Sequence, residues 1–279
     1  MTPILFDFTG FAAKTDLEKE DWKTLFNKLE KEQADFLQYQ DKFRSKEYKW
    51  PRDPLHTWSR LWEYPYVYHN IQKIQQQKLA EKLQILDFGS GVTFFPFAVA
   101  QLNCDVICAD IDPIVAVDIP KAVQWLQSES GSVKTALIDN GHIPVESESQ
   151  DVVYCISVLE HIPNFELVID EIVRVLKPGG QLILTVDIDL RGNFDLGIAE
   201  FERLQTKLDE NFIKKFSERP IHPCNFLTTV NSRYDIKSKS LLFPIKQLIK
   251  GALHGNWVSG DLRVGVLLGV YATVLVKQS

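Results

Sequence analysis

Between Leu83 and Val186 short apolar runs alternate with stretches of helical period, and no other feature restricts the fold as much. Strands are expected at 84–88, 105–109, 133–138, 152–156 and 181–186, and helices at 94–102, 114–127 and 165–175. "KPGG" at 177–180 would end the third helix, and Asn164 would cap its start. This alternation predicts an α/β, doubly wound, mostly parallel sheet joined by right-handed crossovers, with helices on both faces. In such sheets ligands bind beyond the carboxyl ends of the strands. Asp87, Asp110, Asp139 and Ser157 would all emerge there.

The first strand runs into a glycine loop, "ILDFGSGVTFF". Gly89 and Gly91 let the backbone approach a ligand with no Cβ in the way. A dinucleotide pyrophosphate would exploit such a loop, and so would the carboxylate of an amino-acid-like cofactor. The dinucleotide fingerprint asks for a third glycine where Phe94 stands. Asp87, just before the loop, would repel a pyrophosphate and suit a ligand bearing positive charge.

"ILDFGSG", "VICADID", "DVVYCISVLEHIPN" and "VLKPGGQLILTV" follow one another in an order and spacing that resembles class I S-adenosylmethionine-dependent methyltransferases. The resemblance covers residues 83–187 and implies a Rossmann-like, seven-stranded-type sheet with S-adenosyl-L-methionine as cofactor. One departure is Thr93, where many members carry another glycine. Carried over position by position, the resemblance implies that Asp87 faces the methionine ammonium. Gly89, Ser90 and Gly91 would line the methionine end, Asp110 would accept from the ribose diol, and Ile111 would pack on the adenine. Asp139 would accept from the adenine amino group, with the Asn140 N–H beside it. Ile156 and Ser157 would border the reacting methyl group. "GSGVTFFPF" also resembles methyltransferases of sugar or surface-polysaccharide pathways, which points to a sugar or glycan-precursor hydroxyl as one acceptor class.

An oxygen acceptor has to lose its proton as it attacks. His161, in "LEHIPN", is the candidate base, because an imidazole titrates near neutrality; the competing reading is a packing role. Glu160 reads as a helix or loop contact. Asp187 and Asp189 leave the fifth strand on the same sheet edge and are candidates to hold an acceptor hydroxyl. No Cys/His group among Cys104, Cys108, Cys155 and Cys224 has metal-ligand spacing, and reduced thiols in a cytoplasmic protein are the simplest reading.

The remaining sequence divides the chain. Residues 1–80 form an N-terminal extension, with Trp22, Leu25, Phe26, Leu29, Phe36, Leu37 and Phe43 on one helical face and "TDLE" as a capping box. Residues 50–70, "WPRDPLHTWSRLWEYPYVYHN", read as an irregular aromatic connector because prolines interrupt them, with Arg52 or Arg60 placed to meet an anion. The catalytic domain would occupy 81–279, with 190–260 as a substrate-side insertion. Lys237, Lys239, Lys246 and Lys250 punctuate "KSKSLLFPIKQLIKG", either as solvated helix lysines or as a peripheral membrane contact. The uncharged run 264–276 is too short to span a bilayer and reads as a strand. A net charge of −6 over 279 residues offers no basic field for nucleic acid. The expectation is methyl transfer to a small-molecule acceptor. An NAD(P)-dependent oxidoreductase and a catalytically inactive cofactor-binding protein are the rivals.

Overall fold

The computed structural model describes residues 6–78, 81–126, 130–191, 196–234 and 267–278. Among them one eight-stranded sheet carries the fold. Its parallel core runs β4 (Ser132–Leu137), β3 (Cys104–Asp110), β2 (Leu83–Phe88), β5 (Gln150–Ile156) and β6 (Leu176–Asp189). β8 (Leu268–Lys277) lies antiparallel against β6 over its length. Two short strands pair with β8 in turn, both antiparallel: β1 (Gly10–Phe11) and β7 (Phe212–Lys214). The sheet thus has one strand more than the seven-stranded expectation, because two short pieces share the edge beyond β8.

The strand period of two sorts side chains onto two cores. Ile85, Val106, Val152, Tyr154 and Ile183 pack with residues of α1 (Glu20–Gln38), α3 (Arg60–Gln77), α4 (Phe95–Ala100) and α5 (Pro113–Val123). Leu86, Val153, Cys155, Leu182 and Leu184 pack on the other face, with α6 (Phe165–Val175) and α7 (Ile198–Asp209). Every residue of β5 is buried, as a central parallel strand requires. The expected helical face of the extension folds as α1 followed by the single turn α2 (Gln40–Phe43). Trp22, Phe26, Leu29, Phe36 and Phe43 are buried, and Leu25 and Leu37 are partly so.

Four local expectations change. Residues 50–70 are not an irregular connector throughout. From Arg60 onward they are the helix α3, with Pro65 inside it. Proline removes the N–H that would bond the carbonyl four residues earlier. That carbonyl belongs to Leu61, and it accepts instead from the Trp22 indole N–H at 3.0 Å. The helix tolerates its proline because α1 supplies the missing donor.

The "KPGG" segment follows α6 but lies inside the β6 range as a bulge. The step from Gln150 to Val152 on β5 is matched by the step from Leu176 to Gln181 on β6. Gly179 sits there at φ 72°. At the "TDLE" turn the cap is made by Asp16, whose Oδ2 accepts from the Ala13 N–H at 3.0 Å. Asn164 precedes α6 without a side-chain cap bond. The lysine-punctuated segment 237–251 lies outside the described residues, as do 192–195 and 235–260 of the 190–260 insertion. Among the described residues no helix is long and apolar enough to cross a membrane.

Trp22→Phe is expected to cost about 1–3 kcal/mol of stability, because it leaves the buried Leu61 carbonyl without its donor. In a Pro65→Ala background, where the backbone N–H at that position returns, the same change should cost measurably less. Urea denaturation of the four-member cycle checks this, and equal costs in both backgrounds would refute it.

Candidate active site

A cavity of about 480 Å³ opens at the carboxyl ends of β2, β3, β5 and β6. Asp87, Gly89, Ser90, Gly91, Asp110 and Ile111 line it from the first two strands. Ile156, Ser157 and His161 line it from the end of β5 and the turn beyond, and Asp187 from β6. Asp139 and Asn140 do not line it. They are exposed and form a tight turn in which the Asp139 and His142 backbones bond each other, with Asn140 at φ 48°. Ile138 occupies the wall at that strand end. Ile111 is 76 % exposed at the cavity edge, where a flat ligand can cover it.

The glycine loop is locked by its own hydrogen bonds. Gly89 N–H donates to the Ala109 carbonyl at 2.8 Å and Ser90 N–H to the same oxygen at 3.4 Å. Gly91 N–H donates to Asp110 Oδ2 at 2.8 Å, and Val92 N–H to the Tyr48 hydroxyl at 2.9 Å. Four consecutive N–H groups are therefore committed within the protein. A pyrophosphate cradle needs such donors aimed at the ligand. Glycine is required at both positions, since Gly89 and Gly91 have φ of 74° and 55°. A Cβ on Gly91 would stand 2.8 Å from the Tyr48 hydroxyl oxygen, and one on Gly89 would strike Val158.

Tyr48 comes from the N-terminal extension, which is fastened to this loop. Arg44 donates to the Val92 carbonyl at 2.8 Å and stacks over Tyr48 and Phe36. Ser45 gives both its N–H and its hydroxyl to Asp118 of α5, each at 2.6 Å. Burial pushes the Tyr48 phenol up to about 12, so it stays a neutral hydroxyl. Neither Arg44 nor Tyr48 is singled out by the sequence, where they sit in a charged stretch with no motif around them.

The charges of the site suit a cation. Asp87 is 5 % exposed, and burial pushes its carboxyl well above the usual range, with Tyr154 drawing it back only in part and Asp110 adding to the rise. Burial also raises Asp110, against the N–H groups of Asp112 and Gly91 that bond it. Asp110 Oδ1 takes Asp112 N–H at 2.9 Å while Oδ2 takes Gly91 N–H, and the residue lines the cavity. S-adenosyl-L-methionine fits this set. Nearby acids suit its ammonium and sulfonium, and the two Asp110 oxygens are acceptors of the kind a ribose diol can use. The bare glycine backbone admits its methionine end.

A second group of charges closes the far wall. Glu63, fully buried on α3, accepts from Ser157 Oγ and Thr185 Oγ1 on Oε1, each at 2.6 Å, and from Arg60 on Oε2 at 2.5 Å. Burial works against the Arg60 charge, yet Glu63 above all, then Tyr64, Asp187 and Glu160, hold it above its ordinary value. Ser157 carries φ 46°, an uncommon backbone for a non-glycine residue and one found at functional sites. Glu160 is 6 % exposed behind the wall, and its Oε1 accepts the Asp187 N–H at 3.2 Å. Asp189 is fully buried away from the cavity lining. The i,i+3 spacing of Arg60 and Glu63 is the sequence signal for this pair, hidden by the prolines that make the segment look irregular. Trp50, Pro51, Pro54, Trp58 and Tyr64 complete an aromatic and proline-rich mouth. Among the described residues no cluster of His, Cys, Asp and Glu could hold a metal ion.

Comparison with known proteins agrees with this geometry. Residues 86–184 match a family model described as a methyltransferase domain. A ubiquinone biosynthesis O-methyltransferase of Pseudomonas fluorescens (strain SBW25) is 31 % identical over 152 residues, 52 % of this chain and 60 % of that protein. The sterol 4-C-methyltransferase strm-1 of Caenorhabditis elegans is 32 % identical over 116 residues, 42 % of this chain and 34 % of that protein. The chain spans between about a third and three fifths of the length of these relatives. The crystal structure of the [4+2]-cyclase SpnF superimposes with a TM-score of 0.50 at 15 % identity, over 88 % of this chain and 93 % of that one. That likeness concerns the fold alone, and a fold hosts more than one chemistry. The glycine loop, the strand-end acids and the domain match together support a class I S-adenosylmethionine-dependent methyltransferase domain around residues 86–184.

Proposed function

We propose that this protein transfers the methyl group of S-adenosyl-L-methionine to a hydroxyl of a small molecule, with a sugar or another ring-shaped body as the acceptor class. One observation carries the reading. A single cavity joins the acid-flanked glycine loop to an aromatic compartment with a carboxyl group in its wall. Asp87, Gly89, Ser90, Gly91, Asp110 and Ile111 bind the cofactor, and Ile156 and Ser157 border the transfer region. The cofactor supplies an activated methyl group, so the protein's share is to align the acceptor, exclude water and take up a proton. The walls of Trp50, Trp58 and Tyr64 suit the flat or apolar face of a ring. An oxygen acceptor is favoured because the compartment offers proton-accepting side chains, His161 on its rim and Asp187 in its wall. The matched Pseudomonas relative is named for O-methylation as well.

The oxidoreductase alternative loses support from the loop. Its N–H groups at 89–92 are already bonded, and two acids flank it.

Asp110→Ala should weaken S-adenosyl-L-methionine binding by about 1.5–3 kcal/mol, roughly ten- to a hundredfold, measured by calorimetry. Unchanged affinity would count against the assignment. Affinity should also depend on pH with a definite sign. Asp87 holds its proton unusually tightly in the free protein, and a cationic ligand favours the ionised form. Binding then expels a proton, so affinity rises with pH up to the free-state value of Asp87 and levels off above it. Asp87→Asn should flatten that profile. A wild-type affinity that falls as pH rises over this range would contradict the role.

A further inference from the structure

Arg60, Glu63, Glu160 and Asp187 come from three elements, α3, the turn after β5 and β6, and they meet at the acceptor end of the cavity. One guanidinium stands among three carboxyl groups. Arg60 is paired with Glu63, whose two oxygens are satisfied by Arg60, Ser157 and Thr185. Glu160 and Asp187 sit beside this pair with fewer partners. The Asp187 N–H rests on Glu160 Oε1, while Glu160 Oε2 and Asp187 Oδ1 are both buried without a hydrogen-bond partner. A buried carboxylate oxygen without a donor is costly. The charge of Glu160 also bears on Asp187, so the two carboxyl groups do not both ionise cheaply. Burial first, helped by Glu63, pushes Glu160 up to about 8 against its own backbone N–H, Arg60 and the Asp187 N–H. Asp187 is pushed up too, by burial first and then by Glu63 and Glu160, against Arg60 and Ser157.

Asp187 lines the cavity and Glu160 does not. Asp187 is partly exposed there, so of the two carboxyl groups its own is the one an acceptor hydroxyl can approach, although Oδ1 itself is enclosed. His161 is exposed at the rim. We infer that Asp187 is the catalytic base of this site, receiving the acceptor's hydroxyl proton on its carboxyl group, and that Glu160 is a positioning residue that sets how readily it does so. This rests on the proposed methyl transfer to oxygen. As the acceptor O–H bond breaks, its proton passes to Asp187 and the oxygen's electron pair forms the new bond to the methyl carbon. The pair of the broken sulfur–carbon bond stays on sulfur. The proton then leaves Asp187 to water through the cavity, which restores the carboxyl to its starting charge.

The test has two parts. Carboxyl carbon NMR of the full chain, labelled at Asp and Glu and titrated from acid to mildly basic pH, needs neither cofactor nor acceptor. Two carboxyl groups should titrate as a coupled pair above the ordinary carboxylate range. Glu160→Gln should move the Asp187 transition down, and Asp187→Asn should move that of Glu160. Ordinary, independent titrations in the wild type would overturn the pairing.

The second part measures transfer from radiolabelled S-adenosyl-L-methionine to a panel of simple alcohols, phenol, catechol and methyl glucosides. Asp187→Asn should lower kcat by about 10²–10⁴-fold with cofactor affinity nearly kept, and more than His161→Asn does. Asp187→Glu should recover part of it, and Glu160→Gln should shift the pH limb of kcat rather than remove it. The reverse order, with His161 dominant and Asp187→Asn close to wild type, would overturn the assignment. If Asp187→Asn fails to fold, the Glu160→Gln pH shift and the Asp187→Glu variant decide instead. A wild type that does not bind S-adenosyl-L-methionine would defeat the methyltransferase reading, and the NMR titration would still judge the pair.

Discussion

Glu63 is fully enclosed, and much of the architecture is arranged around keeping it so. A lone buried carboxylate is prohibitively expensive. This one is tied to Arg60 on its own helix and to hydroxyls at the ends of β5 and β6. Breaking any of these ties leaves charge uncompensated, so α3 is held at one rotation and one height over the sheet. That fixed placement brings Arg60 and Tyr64 to the cavity wall and sets the aromatic mouth above it.

The central sheet is legible from the chain alone because parallel strands buried on both faces read as continuous apolar runs. The five expected strands and three helices between Leu83 and Val186 are present, with ends moved by a few residues. The expected α6 ends where it should, at Val175. What the sequence hides is what depends on contacts distant along the chain. Pro65 argues against a helix locally, and only the Trp22 indole, on another helix, makes one acceptable. "KPGG" argues for a turn, and it is one, yet its flanks still belong to one strand because β5 and β8 pair on either side.

The site divides in the same way. Most strand-end residues carried over from the resemblance, Asp87 through Ile111 and then Ile156 and Ser157, lie around one cavity, because short-range geometry carries them there. Asp139 and Asn140 turn outward, since the strand before them ends one residue earlier than expected and the chain reverses tightly. Tyr48, Arg44 and Glu63 reach the site through tertiary packing, for which a single sequence gives no periodic signal. The loop's hydrogen bonds also recast the meaning of its glycines. They serve to let the backbone turn back on β3 and to seat a tyrosine, more than to bare N–H groups to a ligand.

The pairing of Gly10 with Ala272 has a bearing on how the chain comes together. Thr9 and Thr273 join hydroxyls at 3.0 Å beside it, so residues near opposite ends of the sequence share one sheet margin. Synthesis delivers the early partner long before the late one. Loop closure on that scale is slow compared with local helix formation. During the interval the edge of β6 stands open, a stretch that a ribosome-bound intermediate must keep from pairing with neighbours.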